Sequence, residues 1–346
     1  MPQLSIFNII MSQELTSYWE TLTQDRPPYF GETLFPNQQK LGLDLQWLKG
    51  ASNLPVVLKP SSYDAKVLPR QRLGFDKLTA SMPFFKESML VDEEMRQELN
   101  KVLETGNQAY IDAITDRIFR DEMTLLDGAA ARREQMRMML LTTGAISITA
   151  NGQAYSYDYG VPAANKITVG TSWSSDSADI IGDIQKWQDQ VEETTGVRPT
   201  RAVCSRKTWG YILKNTDIRN GILGNDSAAP VAENAVRQYI QSMTDVDIYV
   251  YTKRYKDDTG TTQKFMPDDT FVLMPAGNLG TGWFGTTPEQ SDLMSQGVAN
   301  VSITDTGVAV TTIATADPVN VQTKVSMIYL PDFPVADQII IADVIA

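Results

Sequence analysis

One stretch limits what this chain can fold into: residues 107–144 read as a single uninterrupted helix. Apolar residues recur there at Tyr110, Ile111, Ile114, Ile118, Leu125, Leu126, Met136, Leu140 and Leu141. That is a helical spacing, with Asp116, Arg117, Arg120, Asp121, Arg132, Arg133 and Glu134 between. No proline breaks the run, and Gly128 is its only internal glycine. Asn107 can cap the free N–H groups of the first turn. Gly144 suits the left-handed position that ends many helices. At 1.5 Å per residue the helix is roughly 55 Å long, beyond the usual globular length. The fold must supply a surface to cover it.

Several function classes fall away on composition. The chain has 346 residues, none of them histidine, and one cysteine, Cys204. Histidine-based triads, His-containing zinc sites and histidine proton shuttles are therefore excluded within one chain. A lone cysteine forms no intrachain disulfide and fits a reducing compartment. Carboxylate, Lys or Tyr chemistry remains open. No apolar run reaches membrane-spanning length, and residues 5–10 are too short for a secretory apolar region. The chain therefore reads as soluble and intracellular, with no membrane association. Net charge is −12, which repels nucleic acid from the surface as a whole. The charge is uneven. Residues 1–92 carry nine basic and nine acidic side chains, so the whole acidic excess lies after them.

Taken in order, residues 11–22 are amphipathic (Leu15, Tyr18, Trp19, Leu22) and predict a short helix that Pro27 and Pro28 stop. Residues 29–54 lack periodicity and read as an extended arm whose aromatics (Tyr29, Phe30, Phe35, Trp47) need a covering surface. Residues 55–91 read as a two-stranded excursion with few residues for a core of its own. Such a ribbon is marginal alone in water; it folds back on its own chain or lies on a neighbour. A short acidic helix is predicted over 92–104. After the long helix, Asn151-Gly152 between alternating runs is a strong hairpin signal. From Trp173 the pattern is mixed α/β. A helix with Ile180, Ile181, Ile184, Trp187 and Val191 on one face ends near Gly196, and Ile184 and Trp187 should anchor it to its sheet. Strands are predicted at 201–205, 247–251 and 270–274, helices at 207–214 and 231–243. Residues 301–312 are rich in β-branched types, and strands return at 324–330 and 338–344.

No catalytic constellation emerges. Gly280-x-Gly282-x-x-Gly285 matches a dinucleotide fingerprint, but Thr286-Thr287-Pro288 follows where a helix must open. Asp257-Asp258 and Asp268-Asp269 lack the alternate-position ligands and closing Glu of a calcium loop and read as solvated turns. Cys204, in a predicted strand with no histidine to activate it, reads as an inert buried thiol. No cofactor or metal is expected.

The order of elements is an arm, a two-stranded excursion, a very long helix, a hairpin, an α/β body and returning strands. It resembles the major capsid proteins of tailed phages, with their Hong Kong 97-like fold. Within them the chain is most similar to the lambda-like major capsid protein E family. Lys264-Phe265-Met266-Pro267-Asp268-Asp269-Thr270-Phe271-Val272-Leu273 resembles that family's Phe-Leu-Pro-Asp-Asn-Thr-x-Val-Leu segment. Val250–Tyr255 before it, Lys207-x-Trp209 after a β-branched strand, and Asp317-Pro318 before the last strands also fit.

The resemblance implies an α+β fold: 1–54 an N-terminal arm, 55–91 an extended two-stranded loop lying on a neighbouring subunit, 92–172 a peripheral domain with the spine helix and hairpin, 173–316 a mixed α/β axial domain, and 317–346 the return strands of the peripheral domain. It implies a non-enzymatic subunit of an icosahedral phage head, a homo-oligomer of hexamers and pentamers. The implied partners are a scaffolding protein, a portal and, in some relatives, a decoration protein. Double-stranded DNA is enclosed without sequence-specific binding, and assembly takes place in the host cytoplasm. The basic residues of the loop (Lys59, Lys66, Arg70, Arg72 and Lys77) are the candidate subunit-interface residues. Covalent crosslinking, known in the prototype of this fold, would need Lys59, Lys66 or Lys77 to meet an asparagine such as Asn320 beside a Glu; no pattern marks such a trio. An encapsulin-type cargo shell shares the fold. A carboxylate-based enzyme or a phage tail component are the readings of other classes.

Overall fold

The computed structural model describes residues 10–24, 26–49, 76–91, 93–105, 108–150, 152–224, 231–294, 299–316 and 319–345. The long helix runs over Gln108–Thr143, 36 residues. Its expected cap, Asn107, lies outside the described residues. Gly144 ends it at φ +75°, its N–H donating to the Leu140 carbonyl at 2.8 Å. A Cβ at Gly144 would sit 2.6 Å from Val161 Cγ2, so both backbone conformation and space require glycine. Burial is denser toward the C-terminal half. Tyr110, counted on the apolar face, is 63% exposed. Arg133, Glu134 and Arg137, expected on a solvated face in the first two cases, are buried.

The chain forms two compact units. One gathers Met1–Leu45, Ala80–Met136 and Thr281–Asp332. It is built on a sheet whose long central strand is Val319–Pro331. Val308–Ala316 pairs antiparallel on one side, from Val308↔Met327 to Ala316↔Val319. Phe84–Leu90 pairs antiparallel on the other, from Phe84↔Ile328 to Leu90↔Gln322. Gly282–Phe284 continues that second side against Tyr329–Pro331 and is itself paired in parallel with Asn37–Gln39. Asn300–Thr304 forms the outer strand beside Val308–Ala316. The β-branched stretch expected at 301–312 is thus two strands, broken where Asp305 and Thr306 take φ +46° and +74°. The N-terminal helix Ser12–Thr23 packs on Asn300–Thr304 and Val308–Ala316 through buried Leu15 and Trp19.

The arm is less extended than its sequence suggests. Phe30–Leu34 is one helical turn, and Leu34, Phe35 and Leu45 are each no more than 1% exposed. Those side chains find cover in their own chain, so residues up to 45 are not coreless.

The second unit gathers Gln46–Thr79, Arg137–Gly280 and Phe333–Ala346. Its five-stranded sheet has Thr270–Met274 at the centre, flanked antiparallel by Arg201–Cys204 and Ile340–Asp343. The outer strands Asp247–Val250 and Lys166–Thr168 run parallel to their neighbours. Helix Ile180–Thr195 is capped by Asp179, whose carboxylate accepts from the Gly182 N–H at 2.9 Å, and it ends at Gly196 with φ +74°. Trp187 of this helix stacks on Trp173 with centroids 5.7 Å apart and lies 6.0 Å from Phe271 of the central strand. Trp209, Ile212, Ile240 and Cys204 complete the core. The hairpin Ala145–Ala150 with Gln153–Asp158 forms as expected, with Gly152 at φ +73°; Asn151 lies outside the described residues.

Candidate assembly surfaces

The strands Asp44–Lys49 and Asp76–Ser81 pair as a two-stranded ribbon, and the Met82 N–H donates to the Leu43 carbonyl at 2.8 Å. Of the candidate interface residues, Lys59, Lys66, Arg70 and Arg72 lie outside the described residues. Lys77 lies on Asp76–Ser81; its side chain is likewise outside what is described.

The N-terminal helix is locked by charges that sequence reading placed on a solvated helix face. Arg133 donates from Nη2 to Asp305 Oδ2 at 2.7 Å, and Trp19 Nε1 donates to Asp305 Oδ1 at 3.3 Å. The same guanidinium lies 5.5 Å from the centre of the Phe284 ring, a favourable cation–π placement. Glu134 accepts from the Gly31 N–H at 3.0 Å. Nearer the surface, Arg26 pairs with Asp127 at 2.9 Å, and Tyr18 meets Phe119 edge-on at 5.5 Å. The spine helix thus carries a buried polar row that fixes the arm and the Asp305 turn.

A second ion pair joins half-buried Lys324 of the central strand to buried Glu289. Lys324 Nζ lies 2.6 Å from Glu289 Oε1, and Glu289 is 4% exposed. Burial is the largest single influence and raises the Glu289 carboxyl, but the lowering contacts, led by Lys324, together outweigh it and the net shift is downward. Asn320 is buried; its amide donates to the Val91 carbonyl at 2.9 Å and its Oδ1 accepts from the Val321 N–H. It holds the start of the strand and does not present its amide at the surface.

The motifs weighed for chemistry have structural explanations. The fingerprint glycines open no helix. Gly282 begins a strand, and a Cβ there would meet Tyr329 Oη at 2.6 Å. At Gly285 it would meet Ile328 at 2.7 Å. Both glycines are packing positions against the central strand. Asp257 folds its carboxylate into its own turn, accepting from Thr259 Oγ1, from the N–H groups of Thr259 and Thr261, and from Gln263. Those donors, Thr259 first, pull it down to about 2. Asp269 accepts from Lys207 at 2.7 Å and Tyr211 at 3.0 Å. Burial pushes the Cys204 thiol up to about 12, far from a nucleophile's range. Among the described residues no cluster of three His, Cys, Asp or Glu could hold a metal, and no helix is long and apolar enough to cross a membrane.

Solved structures share this fold over almost the whole chain. A protein assigned as the capsid protein of a prophage of E. coli CFT073 superposes with a TM-score of 0.61 at 16% identity, covering 97% of this chain and 99% of that one. A phage-related protein of Bordetella bronchiseptica RB50 gives 0.56 at 13% identity, covering 96% and 97%. The capsid asymmetric unit of cyanophage A-1(L) gives 0.53 at 11% identity, covering 92% of each. The Hong Kong 97-like architecture expected from the order of elements agrees with these matches. The model of the family described as phage major capsid protein E matches residues 12–344, and the chain belongs to that family.

Proposed function

We propose that the chain builds a phage head by clamping a basic loop onto acidic neighbours. It is a shell-forming major capsid protein, a virion component, and the family match over residues 12–344 carries that conclusion. The finer reading concerns how subunits hold one another. Residues 1–54 act as the arm, and within 55–91 a loop reaches over the next subunit, its end Phe84–Leu90 returning to this chain's own sheet. Segment 92–172 and the return 317–346 build the peripheral domain; 173–316 builds the axial domain, set at five- and six-fold axes of pentamers and hexamers. The sheets cut across these boundaries: Lys166–Thr168 and Ile340–Asp343 belong to the five-stranded sheet, and Gly282–Phe284, Asn300–Thr304 and Val308–Ala316 to the six-stranded one. Lys59, Lys66, Arg70, Arg72 and Lys77 face acidic surface on the neighbour. Charge distribution supports this, because the acidic excess lies wholly after residue 92.

An acidic shell also encloses double-stranded DNA without adhering to it. Scaffolding protein, portal and decoration protein are the further partners, and assembly occurs in the host cytoplasm. The subunit is structural and does no catalysis. Limited proteolysis tests the clamp: free subunits should be nicked first within 66–72, and assembly should protect that segment. Equal resistance of loop and body in free subunits defeats the clamp.

A further inference from the structure

Glu122 is the spine-helix residue that the fold does not account for. It is 2% exposed, yet its Oε2 has no hydrogen-bond partner among the described residues. The Thr323 hydroxyl lies near it but outside hydrogen-bonding geometry. A buried carboxylate with an oxygen left unpaired is unfavourable in its charged form. It lines a cavity of about 190 Å³ whose other walls include Met89, Leu90, Val91 and Ile118. Leu90, 49% exposed, stands at the rim. It closes the strand Phe84–Leu90, whose outer edge pairs with no strand among the described residues.

Four apolar walls, the orphan Oε2 of Glu122 and the further lining residues Asp121 and Thr124 match a ligand with an apolar stem and a cationic tip. Lysine has that form, a flexible four-carbon stem ending in a compact charge. Arginine's wide fork suits a bidentate acceptor that is fully exposed to it. The surrounding charges favour a cation. Asp121 adjoins Glu122 on the helix. Glu87 lies on the face of the edge strand that carries Met89, since both pair with odd-numbered residues of the central strand, Val325 and Thr323. Lys324 points to the opposite face and is held by Glu289.

We infer that this cavity receives a lysine side chain from a second copy of the chain, its stem on Met89, Leu90, Val91 and Ile118 and its ammonium on Glu122. The inference rests on the shell reading, which supplies second copies at every contact. Charge supports a self-partner. Residues 55–91 are the basic part of an acidic chain, with six basic against three acidic side chains.

The contact makes assembly proton-linked. In the free subunit, burial pushes the Glu122 carboxyl up to about 7. A seated ammonium lowers it again, so association releases a proton. Association therefore has full strength above about pH 7 and weakens below it, by up to about tenfold per pH unit for each contact.

The test uses purified subunits alone, with association followed by light scattering from about pH 6 to 8. Wild type should weaken steeply below about pH 7. Glu122→Gln keeps the shape and removes the charge. It should melt no lower than wild type, yet associate about tenfold or more weakly at pH 8 and show a flattened pH profile. In particles mixed from isotopically labelled and unlabelled wild-type subunits, carbodiimide coupling should yield a Glu122–lysine peptide of mixed label. A Glu122→Gln protein with wild-type association and pH profile overturns the inference, as does a coupled peptide of single label only. If wild type forms shells and the variant is indifferent, this inference alone fails; if wild type forms none, the shell reading fails.

Discussion

Removing the charge of Asp305 should loosen the whole N-terminal arm. Its partner Arg133 has a side chain only 5% exposed, while that of Asp305 is 28% exposed. Breaking a fully buried ion pair costs about 3–5 kcal/mol, whereas an exposed pair contributes about 0–1 kcal/mol. This pair lies between, because water reaches the carboxylate but not the guanidinium. Asp305→Asn keeps an Oδ1 for Trp19 and strands Arg133, whose Nη1 already lacks a hydrogen-bond partner. A loss of about 2–4 kcal/mol follows. Adding Arg133→Met removes the stranded charge and sets an apolar chain against Phe284, so the double variant should recover to within about 1 kcal/mol of wild type. Urea unfolding of disassembled subunits, followed by far-UV circular dichroism, reads the difference as a midpoint shift of about 1 M. A single variant with an unmoved midpoint, or a double variant whose losses simply add, refutes the reasoning.

Trp187→Ala should cost about 3–5 kcal/mol, because its ring is 3% exposed between Trp173 and Phe271; soluble, assembly-competent subunits would contradict this. Gly144→Ala should cost about 1–2 kcal/mol from its positive φ alone, and more from the Val161 overlap; an unchanged melting temperature would show that the helix end relaxes freely. Reversing Arg70 and Arg72 to Glu should hinder assembly at low salt far more than it lowers the melting temperature, since each exposed pair is weak but repeats in every subunit. Raised salt should weaken wild-type association and partly rescue the reversal; normal assembly at low salt would leave the loop held by apolar contacts or its own chain.

Local signals were legible where one residue type has one use. Gly144 and Gly196 end their helices at positive φ, and the hairpin turn holds Gly152 in the same region. What was not legible depends on distant partners. The charges of Arg133 and Glu134 read as a solvated face, because periodicity counts polarity and cannot see an Asp305 or a Gly31 backbone waiting for them. Three-residue strands such as Lys166–Thr168 and Gly282–Phe284 carry too few residues for alternation to show. Helix Thr216–Leu223 shows no clear stripe in its sequence, although Asn215 caps it by accepting from the Ile218 N–H; its short length and internal Gly221 hide the pattern. Alternation also leaves a strand's sheet undetermined. Ile340–Asp343, grouped by sequence with the strands before it, pairs with Thr270–Met274. Glu122 stands in an otherwise ordinary helical stripe, and only the cavity around it marks it out.

Electron cryomicroscopy of the purified full-length protein tests the central claim most directly. Expected are closed icosahedral shells with five-fold vertices, each subunit containing a helical rod of about 54 Å for the 36 residues of Gln108–Thr143. Monodisperse small oligomers under every assembly condition, or open tubes without five-fold vertices, would contradict it.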